Sequence, residues 1–282
     1  MDRLLISAAS LYQRLADDDL RIIDVSMKSV VGKEAIVYET LSVIPNSYYV
    51  DLSNELVDHS SPQIHAFPSS TQVSKLMESL GITANTTIVV YDNQGIYSSP
   101  RAWWILKSFG LAKVYILDGG LPEWLKHNYP SATEYRTKAH SGSYPPLSFS
   151  TDALVFKQQV LANLTRQDFS VIDVRASGRF TGAAQEPRPG VRSGHIPKSL
   201  NLPFEQTLDE HKYKSSSELQ ALFSAVIQDT SKPLVFSCGS GITACIGLVA
   251  ALLANYTQVA LYDGSWSEWG SDHALPIEPS QP

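Results

Sequence analysis

The chain repeats itself, and that repeat limits the folds open to it. Ile22-Ile23-Asp24-Val25-Ser26 returns 149 residues later as Val171-Ile172-Asp173-Val174-Arg175. Ile88-Val89-Val90-Tyr91-Asp92 returns at an offset of 146 as Leu234-Val235-Phe236-Ser237-Cys238. Asp118-Gly119-Gly120 with Glu123-Trp124 returns at 145 as Asp263-Gly264-Ser265 with Glu268-Trp269. Val43-Ile44-Pro45 pairs less closely with His195-Ile196-Pro197. Islands in one order at nearly constant offset mean a duplicated domain, and 282 residues suffice for two cores at roughly 150 residues each. Within each half, short β-branched apolar runs alternate with amphipathic stretches, the pattern of a parallel sheet flanked by helices. The expected class is α/β with two tandem domains. Strands are expected at 171–174, 234–237 and 259–262, and helices at 70–80, 102–109, 218–227 and 243–253. The boundaries read as 1–138 for the first domain, 139–151 for a linker and 152–282 for the second. The linker carries His140-Ser141-Gly142-Ser143-Tyr144-Pro145-Pro146, a polar stretch with turn residues.

Composition narrows the function classes. Lys plus Arg number 22 against 28 Asp plus Glu, a net charge of −6 that argues against a nucleic-acid binder. It leaves room for a small basic pocket for an anionic substrate. The longest apolar run, 242–254, is interrupted by Thr243 and Gly247 and is shorter than the roughly 20 residues a bilayer span needs. Leu4-Leu5-Ile6 before Ser7-Ala8-Ala9-Ser10 loosely mimics a leader, but the run is very short. It continues through Leu11 and Leu15 into Asp17-Asp18-Asp19, and reads as the first strand and helix of a cytoplasmic domain. Two cysteines cannot build a disulfide framework, which favours a reducing compartment. The seven histidines show no metal-ligand spacing with them, so neither a metal nor a cofactor is expected.

The halves differ where the chemistry is expected. The second apolar strand ends in Asp92 in the first half and in Cys238 in the second, followed there by Gly239-Ser240-Gly241-Ile242-Thr243-Ala244 and a helix. Sites in open α/β sheets form at the carboxyl edge of the strands. Small residues after the cysteine let successive N–H groups turn inward at a helix N-terminus, making an anion nest. A thiol facing such a nest is stabilised as thiolate and becomes a nucleophile. A lone cysteine is more often a buried structural residue, and the Gly-Ser-Gly loop is what favours the reactive reading. Cys245, inside the apolar helix, reads as core packing.

The loop Cys238–Ala244 resembles the active-site loop of 3-mercaptopyruvate sulfurtransferases in the two-domain rhodanese superfamily. Ser99-Pro100-Arg101-Ala102-Trp103-Trp104, Leu117-Asp118-Gly119-Gly120, Gly194-His195-Ile196-Pro197 and Tyr262-Asp263-Gly264-Ser265-Trp266 are also similar to blocks of that family, so the likeness spans the chain. Thiosulfate-preferring members usually carry Arg and Lys directly after the cysteine, where this chain has Gly239 and Ser240. The resemblance implies Cys238 as nucleophile, with Gly239, Gly241, Ile242 and Thr243 shaping the donor site. It implies that Arg179 and Arg188 hold the carboxylate of an α-keto acid, which a planar guanidinium does bidentately. Arg192 is a weaker candidate for that role, Arg175 is expected to organise the domain through an acidic or backbone contact, and His195 reads as a structural turn. The resemblance further implies a proton-handling set of Ser240, His65 from a Ser-Pro-x-x-His stretch, and an acidic residue. The family's acid is Ser53 here, which leaves Asp58 or Glu55 as substitutes or the set incomplete.

Three activities compete at this stage. The first is transfer of sulfur from 3-mercaptopyruvate through a Cys238 persulfide to cyanide, thioredoxin or another thiol, with thiosulfate as the alternative donor. The second is phosphatase chemistry, which requires an arginine six positions after the nucleophile where this chain has Ala244. The third is a non-catalytic interaction or sulfur-carrier module, a role that suits the first half. No membrane or nucleic-acid partner is expected.

Overall fold

Each half of the chain builds a five-stranded parallel sheet. In the computed structural model, residues 4–138, 144 and 147–278 are described; of the expected linker, residues 139–143, 145 and 146 lie outside them. The first sheet contains β1 (Leu5–Ile6), β2 (Leu20–Asp24), β3 (Ser47–Tyr49), β4 (Thr87–Tyr91) and β5 (Val114–Leu117), hydrogen-bonded in the order β1-β5-β4-β2-β3. The second contains β6 (Leu154–Val155), β7 (Ser170–Asp173), β8 (Leu200–Asn201), β9 (Leu234–Ser237) and β10 (Val259–Tyr262), in the order β6-β10-β9-β7-β8. Every number in the second order is the first raised by five, so the duplication read in the sequence is one of topology. β4 and β9 are buried at every position, which is why their sequences are unbroken apolar runs without alternation.

The expected strands at 234–237 and 259–262 are β9 and β10, and that at 171–174 begins and ends one residue earlier as β7. Helix ends follow their caps. The helix expected at 218–227 starts at Ser216, because the Ser215 side chain caps the Glu218 N–H and Glu218 reaches back to Ser215. The helix expected at 102–109 starts at Ser99, since Pro100 sits in the first turn, where a missing N–H costs nothing. The helix expected at 70–80 runs over Ser70–Ser79 behind a Ser69–Gln72 capping box. The helix expected at 243–253 runs over Ala244–Leu253; Thr243 precedes it, and its side chain makes no capping bond.

This last helix, the fourth long one to be placed, has no polar face because all of Ala244–Ala251 is buried. Gly247 is required where it crosses the sheet: a Cβ there would lie 2.7 Å from Val174 Cγ1. Matching tryptophans close each core. Trp124 and Trp269 are both fully buried, and each indole N–H donates to a proline carbonyl, of Pro130 and Pro276 respectively.

The chain divides into two compact units. Unit 1 comprises Met1–His59, Phe67–Ser150 and Asp209–Tyr213, and unit 2 comprises Ser60–Ala66, Thr151–Leu208 and Lys214–Pro282. His65 therefore belongs to unit 2 with the short segment Ser60–Ala66, although the chain on both sides of that segment belongs to unit 1. Among the described residues no helix is long and apolar enough to cross a membrane.

Candidate active site

Unit 1 shows what the loop after the fourth strand of each sheet is built to hold. The Asp92 carboxylate, fully buried, accepts the backbone N–H groups of Gln94, Tyr97, Ser98 and Ser99 at 2.9–3.0 Å and the Ser99 hydroxyl at 2.7 Å. Four N–H groups converging on one anion at the start of the helix Ser99–Ser108 form a nest. Gly95, at φ +95°, lets the loop turn back on itself. Carried over by the 146-residue offset, Cys238 replaces Asp92, Gly241 (φ +83°) replaces Gly95, and Ser240, Thr243 and Ala244 supply the N–H groups. Among the described residues the N–H groups of Ser240, Thr243 and Ala244 donate to no acceptor, so they are available to an anion on the Cys238 sulfur.

Cys238 is fixed at both ends of its peptide. Its N–H donates to Ser265 Oγ at 3.2 Å, and its carbonyl accepts from the Trp266 N–H at 2.9 Å. Ser265 sits at φ +49°, a left-handed conformation that a residue with a Cβ adopts only when held there. Its hydroxyl donates to the Tyr262 carbonyl at 2.9 Å, and its first-repeat counterpart is Gly120, at φ +51°. Ser265 thus supports the nucleophile's backbone. The sequence marked it only as part of a matching block.

The two expected arginines reach the same loop. A Cβ built on Gly239 would lie 3.2 Å from Arg179 Nη2 and 3.9 Å from Arg188 Nη1, so both guanidinium groups end beside the residue after Cys238. Arg179 is held there by Glu186, which takes its Nε at 3.1 Å and its Nη2 through the second oxygen. Glu186 also accepts Arg175 Nη1 at 2.8 Å, and Arg175 in turn pairs with Asp173 at 2.6 Å and donates to the Gly194 carbonyl. The charges in this nearly solvent-free row alternate: Asp173, Arg175, Glu186, Arg179. The row is neutral as a whole. The Arg188 guanidinium forms no hydrogen bond or ion pair among the described residues, so it brings an uncompensated positive charge to the loop.

Arg175 organises unit 2 as expected. Arg192, a weaker substrate candidate, is occupied instead: it donates to the carbonyls of Gly270, Leu275, Trp269 and Asp272 at 2.7–3.3 Å and clamps the chain after Trp269. His195 donates from Nδ1 to the Phe180 carbonyl at 2.8 Å and stacks on the Phe180 ring with centroids 3.8 Å apart, a structural turn. Cys245 is fully buried and points its thiol at the Gly241 carbonyl, 3.5 Å away.

Segment Ser60–Ala66 completes unit 2. His65 Nδ1 lies 3.0 Å from Ser240 Oγ, two residues from the nucleophile. Gln63 Nε2 donates to Glu268 at 3.1 Å, and the other Glu268 oxygen accepts the Tyr262 hydroxyl at 2.8 Å, which anchors the segment. Of the two acids left open by the sequence, Glu55 is engaged within unit 1, by the Asp51 N–H at 2.9 Å and by Lys138. Glu186, to which the sequence pattern assigns no role, is the residue that joins Arg175 to Arg179.

Comparison with known proteins follows the same division of the chain. The family described as Rhodanese-like domain matches residues 7–127 and again 156–272. The chain belongs to this family. A 3-mercaptopyruvate sulfurtransferase of Rattus norvegicus is 40% identical over 281 residues, covering 95% of this chain and 92% of the rat protein. A thiosulfate sulfurtransferase of Bos taurus is 38% identical over 266 residues, covering 92% and 87% respectively. The solved structure of SseA from Escherichia coli, described as a 3-mercaptopyruvate sulfotransferase with the rhodanese fold, superposes with a TM-score of 0.81 at 32% identity. It covers 94% of this chain and the whole of SseA. Both rhodanese-like repeats are therefore present, and only the second carries a cysteine in its nest.

Proposed function

We propose that this protein is a sulfurtransferase that takes sulfur from 3-mercaptopyruvate onto Cys238 and releases pyruvate. The observation that carries this reading is the convergence of Arg179 and Arg188 on Gly239, beside a cysteine in an anion nest. A single excess positive charge suits a monocarboxylate donor. The Cys238 thiolate attacks the donor's sulfur; the C–S bond breaks and its electron pair passes to the enolate of pyruvate. The enolate takes a proton to become pyruvate, and the thiol hydrogen of the donor is lost from the terminal sulfur. Ser240 and His65, 3.0 Å apart, handle these protons. The terminal sulfur then passes to a thiol such as thioredoxin, or to cyanide, and the thiolate returns. Both steps need a reduced Cys238, which suits the cytoplasm. The catalytic domain is 152–282, completed by His65; 1–138 carries no nucleophile.

The test is pyruvate release from 3-mercaptopyruvate by the intact chain, compared with two alanine variants. Removing a charge-assisted bond to a carboxylate costs ~1.5–3 kcal/mol, so Arg188→Ala is expected to lower kcat/KM about ten- to a hundredfold, mostly through KM. Its fold is expected to be intact, because Arg188 has no other duty. Arg179→Ala is expected to lose activity and stability together, since it also removes one of the two cations on buried Glu186. Unchanged KM and kcat in Arg188→Ala would make it a surface charge and remove the carboxylate site.

Thiosulfate is the second donor to consider, because the bovine relative is named for it. Gly239→Arg with Ser240→Lys adds two positive charges for a dianion and crowds Arg179, which lies 3.2 Å from the new Cβ. The ratio of kcat/KM for thiosulfate over 3-mercaptopyruvate is expected to rise by about tenfold or more. A constant ratio would mean that the loop does not select the donor.

A further inference from the structure

The repeats differ at a second pair of positions, and a cavity lies beside them in unit 1. In unit 2, Asp173 at the end of β7 is neutralised by Arg175, whose guanidinium lies 4.5 Å from the centre of the Trp266 ring. In unit 1 the backbone is the same: the Ser26 N–H donates to Asp24 Oδ1 at 2.8 Å as the Arg175 N–H does to Asp173 Oδ1 at 2.9 Å. The Leu121 N–H meets the Asp92 carbonyl at 3.0 Å as the Trp266 N–H meets that of Cys238 at 2.9 Å. Ser26 thus stands where unit 2 has its arginine, and Leu121 where it has its tryptophan.

Two large side chains are replaced by smaller ones, and a cavity of about 470 Å³ lies beside Asp24 and Leu121 at the carboxyl edge of the first sheet. Asp24 and Leu121 wall it, with Tyr38, Tyr135, Met27 and Ile36. Asp24 is only 2% exposed. Its carboxyl accepts the Ser26 N–H and hydroxyl and, at 3.0 Å, the Tyr135 hydroxyl. No Lys, Arg or His among the described residues forms an ion pair with it. Burial pushes its pKa up, so the ionised form lacks the compensation that Asp173 receives from Arg175. The charges at the mouth, exposed Lys28 and Glu39, cancel.

We propose that unit 1 binds a small organic cation of the guanidinium class in this cavity. The planar head group lies against Asp24, supplying from solution the charge that Arg175 supplies within unit 2, and the apolar body lies along Leu121, Met27 and Ile36. A planar fork of donors matches a carboxylate, and the walls desolvate the pair.

The experiment is calorimetric titration of the full chain with propylguanidine and with propylurea, its uncharged isostere. Saturable binding of propylguanidine is expected, with propylurea weaker by about tenfold or more. Ser26→Arg places a guanidinium in the cavity from the chain itself and is expected to abolish binding while keeping or raising Tm. Leu121→Trp is expected to abolish it by filling the space, and Asp24→Asn by removing the charge. Propylurea binding as tightly as propylguanidine, no saturable binding of either, or full binding retained by a folded Ser26→Arg chain would each overturn the proposal.

Discussion

Cys238→Ser is expected to abolish sulfur transfer to every acceptor, while Cys245→Ser keeps near-wild-type turnover. A serine hydroxyl is not ionised at neutral pH and its oxygen forms no persulfide, so the covalent step has no substitute route. The change is close to isosteric, and the Ser265 and Trp266 contacts to the backbone of residue 238 do not involve its side chain, so the fold is expected to survive. Cys245 differs in kind: it is fully buried and its thiol faces a carbonyl, a contact that a serine hydroxyl also makes. Mass spectrometry after donor treatment is expected to find one added sulfur, about 32 Da, on the peptide bearing Cys238. Sulfur on the Cys245 peptide instead would end the proposed mechanism.

Asp92→Ala is expected to destabilise unit 1 by about 4–6 kcal/mol, a large fraction of the stability of a typical domain. The substitution strands four buried N–H groups and a hydroxyl that share one carboxylate, and each orphaned buried donor costs ~1–3 kcal/mol. Water entering the loop recovers part of that sum. Hydrogen exchange on the amides of Thr87–Tyr91 reads the effect in unit 1 alone, which matters because a two-unit chain does not melt as one transition. A loss below about 1 kcal/mol would mean that the N–H groups find other partners and that the loop is not a preformed nest.

The repeat made the fold legible before any coordinate, because topology follows from strand order and both halves spell the same order in the same apolar runs. Helix ends were less legible. The start at Ser216 is placed by the hydrogen bonds of a single cap, Ser215, and a change of that one side chain would move it. The nucleophile's loop was readable from Cys238 and its glycines, since small residues after a strand have few other uses. Its support was not. Ser265 matters through a left-handed φ and a bond to a residue 27 positions away, and nothing in a serine announces either. Arg192 reads in the sequence as a weaker candidate for holding the substrate carboxylate, yet it closes four carbonyls of a distant turn. His65 stood in the sequence beside residues of unit 1, and its contact with Ser240 depends on a chain path that local pattern does not encode.

The filled nest of unit 1 bears on motion as well as on stability. A carboxylate tethered two to seven residues from its donors acts at an effective concentration that no dissolved anion matches, so the Asp92 loop keeps one conformation throughout the reaction cycle. The Cys238 loop has no such permanent occupant. Its N–H groups meet a thiolate, then a persulfide, then a thiolate again, and the rigidity of that loop rises and falls with the charge and size of the sulfur group. One chain therefore carries two copies of the same cradle, one filled by a tethered carboxylate and one whose occupant changes at each turnover. The filled copy is a built-in standard against which the dynamics of the other can be measured.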